Sequence, residues 1–155
     1  MIKSGKISRL YFDANPLIYA IEGVDSIAEP IKKLLDLLRV RPGVAVTSEL
    51  TLAEVLPKAV APRRRSDLNL IVWSGIFDLR PVTRDILIET AEYRRKAQGR
   101  HVAMPKLPDS IHIVTAIRCE CHTILSSDLR MTLPAGFSVV SPDQDNLARL
   151  IKELS

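Results

Sequence analysis

Residues 10–22, LYFDANPLIYAIE, decide the fold. Leu10, Tyr11 and Phe12 follow a polar run and lead to Asp13, so residues 10–13 read as a short strand ending on an acid. Asn15-Pro16 then supplies a cap and a first helical residue, predicting a helix to about Glu22. A strand passing directly into a helix is the unit from which parallel sheets are built.

Outward from this unit the alternation repeats. Ser26 and Glu29 have capping-box spacing, and Ile27, Ile31, Leu34, Leu35 and Leu38 recur at helical intervals until Pro42-Gly43 stops them, although Pro30 fits only a first turn. Residues 44–47 are β-rich. Ser48 follows as a cap, opening a helix with Leu50, Ala53 and Leu56 that Pro57 kinks or ends, and Pro62 makes a second break. Leu68, Ile71, Val72 and Ile76 define another helix, residues 77–82 hold a third strand, and Thr83 caps a helix through about Gln98.

Residues 105–108 read as a loop, and 109–118 as an almost unbroken apolar helix that must be nearly buried. Residues 123–126 and 137–140 are two more strands, and Ser141-Pro142-Asp143-Gln144 is a capping box opening a last helix with Leu147, Leu150 and Ile151. About five short strands alternating with helices predict an α/β fold with a parallel sheet covered on both faces.

At 155 residues the chain has the length of one domain, 1–155. Its 46% apolar and 26% charged residues are ordinary for a globular protein and exclude disordered or fibrous classes. No apolar stretch approaches the ~18 residues of a spanning helix, and Lys3, Lys6 and Arg9 precede no apolar leader block, so the expected compartment is the cytoplasm, with no membrane partner. A net charge of +4 permits an anionic partner. Cys119 and Cys121 sit too close to brace a fold; with His122 they read as a helix end running into a strand rather than a zinc cluster.

In open parallel sheets, sites form beyond the carboxyl ends of strands, where neighbouring connections diverge. Asp13 ends the first strand and Asp128 follows the fourth, so the two carboxylates converge if those strands are neighbours. Asp109 opens the buried helix that feeds the fourth strand, and Glu54 lies in the helix after the second. Each acid taken singly also suits a cap, a helix dipole or a turn. Together they form a set of oxygen ligands suited to hard divalent cations.

The blocks YFDANPLIYA at 11–20, TSELTLAEVL at 47–56 and LPDSIHIVTAIRCECHTILSSD at 107–128 resemble the PIN-domain nucleases, especially the VapC-like toxins of toxin–antitoxin pairs. The resemblance spans almost the whole chain and implies a three-layer α/β/α sandwich and a Mg²⁺- or Mn²⁺-dependent ribonuclease. It puts the catalytic and metal-binding acids on Asp13, Glu54, Asp109 and Asp128, and a polar supporting set on Asn15, Ser48 and Ser126. Glu54 is preferred to Glu49 because its motif matches. A small antitoxin partner, a homodimer and an RNA substrate are also implied. Such ions acidify a water nucleophile and neutralise charge on the scissile phosphate, so no histidine or serine nucleophile is needed.

His112, three residues after Asp109, shares its helical face and reads as a buried or half-buried residue with one hydrogen bond rather than a ligand; His101 and His122 say less. Arg63, Arg64 and Arg65, and Arg94, Arg95 and Lys96 with Arg100, are either solvated helix faces or a phosphate-binding rim around the acids. With 5% aromatic residues, broad base stacking is not expected. A PIN nuclease of RNA maturation or quality control and a non-catalytic RNA-binding module are the competing functions. Nucleotide-dependent enzymes lack support, since the chain has neither a Gly-rich fingerprint nor a phosphate loop.

Overall fold

The computed structural model describes residues 6–23, 25–99 and 103–155, so Lys3, Arg100 and His101 lie outside the described residues. Strands β1 (Leu10–Phe12), β2 (Ala45–Ser48), β3 (Phe77–Arg80), β4 (Thr123–Leu125) and β5 (Ser138–Val140) form one sheet in the order β3-β2-β1-β4-β5. Every pairing is parallel. Seven α-helices accompany them among the described residues: α1 (Ala14–Glu22), α2 (Asp25–Arg39), α3 (Leu50–Val55), α4 (Ala61–Leu68), α5 (Arg84–Ala97), α6 (Leu107–Arg118) and α7 (Gln144–Leu154). None is long and apolar enough to cross a membrane.

The three layers follow from the two-residue period of β1. Leu10 and Phe12 join the core made with α1, α2 and α7, while Tyr11 points oppositely, against Val46, Ile124, Cys121 and Ala116 of α6. All residues of β1 and β2 are buried, as strands covered on both faces require. α5 and α6 close the second face, with Ile86, Ile111 and Val114 packed between them. Because β2 and β4 flank β1 on opposite sides, the order reverses at β1, and that is where a cleft opens.

Several boundaries differ from those read in the sequence, each for a local reason. β1 ends at Phe12, and Asp13, not Asn15, caps α1, its Oδ1 accepting from the Ala14 N–H at 2.8 Å. Pro30 lies six residues into α2 rather than in its first turn. A proline there frees the carbonyl of Ser26, four residues back, and Gln144 Nε2 donates to that oxygen at 3.0 Å. Pro62 and Pro108 begin helices instead of breaking or preceding them, since a first turn needs no proline N–H. α4 thus starts at Ala61 and runs into a π-helical turn, Asn69–Trp73, and α6 starts at Leu107. The last helix is capped by Asp143, whose Oδ1 accepts from the Asn146 N–H at 2.8 Å, and not by Ser141. Ser48 Oγ accepts from Leu50 N–H at 3.1 Å, although Glu49 holds the cap position of α3.

Phe12 is fully buried and meets Phe77 edge to face with ring centroids 5.2 Å apart. Phe12→Ala should cost about 3–5 kcal/mol in urea unfolding, whereas Val40→Ala, at a side chain 75% exposed, should stay within about 0.5 kcal/mol of wild type.

Candidate metal centre

The pairing of Phe12 with Leu125 brings the ends of β1 and β4 side by side. Asp13 leaves β1 there with 4% of its surface exposed. Its Oδ1 accepts from Ala14 N–H, and its Oδ2 accepts from the Ser126 hydroxyl at 2.7 Å. Ser126 Oγ in turn accepts from the Asp128 N–H at 3.1 Å, so one buried hydroxyl ties the two acid-bearing loops together. Thr47 Oγ1 donates to the Phe12 carbonyl at 2.8 Å and meets the Thr51 hydroxyl at 2.8 Å, which fastens the start of α3 to the end of β1.

α3 and α6 bring the remaining groups to this point. Glu54 Oε1 faces His112 Nε2, and Nε2 also lies 3.5 Å from Asp13 Oδ1. Ligand atoms of Asp13, Glu54 and His112 all fall within 4.8 Å of one another. His112 therefore has hydrogen-bonding partners on both ring nitrogens, the second being Tyr11 OH, 2.6 Å from Nδ1. The sequence predicts only one. Its three-residue spacing from Asp109 was the signal for the shared face; the approach of Glu54 and Tyr11 was not visible there.

Asp109 stands in the first turn of α6 and, with Asp128, lines a cavity of about 320 Å³ that also takes in Tyr93, Lys106, Ile113 and Arg130. Burial raises the Asp109 carboxyl above the ordinary aspartate range, and the charges of Asp13, Asp128 and Glu54 raise it further while His112 opposes them. Asp128 is displaced the other way. The Arg130 backbone N–H, 3.0 Å from Oδ1, and the Arg130 guanidinium at 3.3 Å hold its carboxyl below the usual range. Mutual repulsion, expected of the acids alike, thus burdens Asp109 and is offset at Asp128 by an arginine that the sequence reading did not single out. Tyr11 is pushed well above an ordinary phenol by burial and then by Asp13.

Ser48 is fully buried, and Asn15 is half-buried without a side-chain hydrogen bond among the described residues. Glu49 is exposed. Arg63, Arg64 and Arg65 are exposed on α4; Arg63 borders a groove of about 570 Å³ beside Ala20 and Ile21, toward the far end of α1 from Asp13. Arg94 Nε donates to the Pro105 carbonyl at 2.9 Å, tying α5 to the loop before α6, and Arg95 pairs with Glu92 at 2.8 Å. Burial pushes the Cys121 thiol up to about 12, and His122 packs on Phe137.

The donor set fits a divalent cation. Carboxylate oxygens suit hard ions, and a cation would relieve the like-charge burden carried by Asp109. A family model described as PIN domain matches residues 10–148. No curated protein matches the chain in sequence. Among solved structures the chain is similar to one described as FitAB bound to an IR36 DNA fragment, with 17% identity and TM-score 0.65 over 86% of this chain and 94% of that one. It is also similar to a toxin–antitoxin complex from Klebsiella pneumoniae, with 22% identity and TM-score 0.60 over 86% and 97%. VapBC2 from Rickettsia felis, bound to a DNA fragment from its promoter, gives 15% identity and TM-score 0.63 over 85% and 97%.

An aspartate whose folded pKa is raised stabilises the fold below its unfolded pKa and loses that contribution as pH rises through the folded value. Metal-free Asp109→Asn should therefore melt above wild type at pH 7, and the gap should close below about pH 4, where an unfolded aspartate is protonated. Thermal melts from pH 3 to 7 in chelator measure both.

Proposed function

The chain belongs to the PIN-domain family, and from that premise we propose that it is a divalent-metal-dependent endoribonuclease, the toxin of a toxin–antitoxin pair. PIN domains are generally nucleases that use divalent metals. The observation that carries the reading is the meeting of Asp13, Glu54 and His112, with ligand atoms within 4.8 Å of one another, at the carboxyl end of a parallel sheet, together with the cavity that Asp109 and Asp128 line. The proposed domain is the whole chain, acting in the cytoplasm on single-stranded or looped RNA with Mg²⁺ or Mn²⁺.

In this reading Asp13, Glu54, Asp109 and Asp128 hold the metal. When bound, such an ion acidifies water and neutralises charge building on the scissile phosphate. The chain's own groups do the rest. Ser126 fixes Asp13, Thr47 and Thr51 hold α3 against β1, and Arg130 holds the Asp128 carboxyl below the usual range. The cavity beyond Asp109 and Asp128 has Lys106 and Arg130 in its wall, cations suited to a backbone phosphate. Arg63, Arg64 and Arg65, exposed on α4 beside a separate groove, and Arg94 and Arg95, tied to Pro105 and Glu92, are proposed as more distant phosphate contacts on two different parts of the surface.

One structural neighbour is a toxin–antitoxin complex and two others are bound to DNA fragments, which supports a small antitoxin as partner. An antitoxin arginine entering the pit would pair with its carboxylates. A homodimer is the proposed form of the free toxin.

Wild type should cut RNA with Mn²⁺ and stop in excess chelator, and Asp13→Asn should slow cleavage by about a hundredfold or more. Undiminished cleavage in chelator would overturn the metal mechanism. Affinity purification from the native host should recover a small partner; recovery of RNA-processing factors alone, without growth arrest on expression, would favour RNA maturation.

For the rim, Arg63→Ala/Arg64→Ala/Arg65→Ala should flatten the salt dependence of RNA binding by about 0.7 in log–log slope for each single-strand phosphate that the variant no longer neutralises. An unchanged slope would assign these arginines to a solvated helix face.

A further inference from the structure

His112 is the nitrogen-bearing member of the cluster, and its buried ring can serve it in two incompatible ways. As a ligand, Nε2 offers a lone pair and must carry no proton. As a donor, Nε2 carries a proton and holds carboxylates. The choice is settled on the opposite edge of the ring.

Tyr11 OH lies 2.6 Å from Nδ1, and both side chains are at most 1% exposed. A tyrosine hydroxyl is protonated at neutral pH, and a buried hydroxyl requires an acceptor for its proton. Among the described residues, Nδ1 is the acceptor the Tyr11 hydroxyl meets. With Nδ1 accepting from Tyr11, a neutral imidazole carries its proton on Nε2. Ligation through Nε2 would move that proton to Nδ1, aim it at the phenol, and leave the tyrosine proton without a partner.

We propose that His112 is a positioning residue, locked by Tyr11 as an Nε2–H donor that holds the carboxylates of Glu54 and Asp13 in place, and not a metal ligand. Glu54 needs such a hold. It stands on a six-residue helix with its side chain 29% exposed, and an untethered glutamate loses rotamer freedom when it is ordered. Asp13 already has Ala14 N–H and Ser126 Oγ as donors, so Nε2–H at 3.5 Å contributes less to it than to Glu54. The ligand set is then all oxygen, which favours Mg²⁺ and Mn²⁺ over ions that prefer imidazole.

The inference rests on the metal-nuclease reading, and its test reads the ring itself. In ¹H–¹⁵N correlation spectra of wild type saturated with Mg²⁺, His112 Nε2 should be protonated; an unprotonated Nε2 in that state overturns the proposal. Mn²⁺ affinity, followed by the electron paramagnetic resonance of free Mn²⁺, supplies a second readout. His112→Gln keeps an N–H donor at the same reach and should bind Mn²⁺ within about threefold of wild type, whereas His112→Leu should bind about 10–100-fold more weakly, the usual effect of removing a group that orients a ligand. Equal weakening in the two variants would overturn the donor role. A wild type that binds Mn²⁺ and shows Nε2–H yet cuts no RNA would overturn the nuclease reading while supporting this one.

Discussion

The parallel pairing of β1 with β4 places Leu10 opposite Thr123, Tyr11 opposite Ile124 and Phe12 opposite Leu125, and the acid pit exists because of that register. Asp13 and Ser126, 113 residues apart in the chain, meet at 2.7 Å only because both strands stop at the same level. A slip of one residue would turn Tyr11 into the α1–α2 core and Phe12 toward α6, exchanging the partners of every side chain on the strand. The register is held by burial on both faces: Leu10 and Phe12 against one helical layer, Tyr11 against the other.

Gathering carboxylates at that point is unfavourable unless their charges are answered, and the protein answers them unequally. Asp13 is buried but has donors on both oxygens. Asp128 has the backbone and guanidinium of Arg130. Among the described residues Asp109 has no such partner, and its carboxyl is raised above the ordinary aspartate range by burial first and then by its acidic neighbours. The remaining imbalance is of the kind a divalent cation is suited to absorb.

The surroundings divide by charge and exposure. Lys106 and Arg130 line the cavity shared with Asp109 and Asp128, while Arg63 borders a separate groove against α1 and α2. Arg94 and Arg95, which look alike in sequence, differ in the fold: the first anchors the loop leading into α6, the second pairs with Glu92 one turn away. A cluster of arginines in sequence is therefore not one surface in space.

The alternation of strands and helices, the burial of α6 and the position of acids at strand ends were legible in the sequence, because each is written in local periodicity and capping chemistry over fewer than about twenty residues. Boundaries were less legible at Pro30, Pro62 and Pro108, where proline either starts a helix or is tolerated within one, and the choice at Pro30 involved Gln144, 118 residues from the carbonyl it satisfies. The partners of His112 were not legible at all. Glu54 reaches it across 58 residues and Tyr11 across 101, through a strand order that places β1 between β2 and β4. Local spacing can put His112 on the face of Asp109, but only the packing of α3 and α6 on the sheet decides which groups that face meets, because hydrogen bonds between distant segments depend on where whole elements dock.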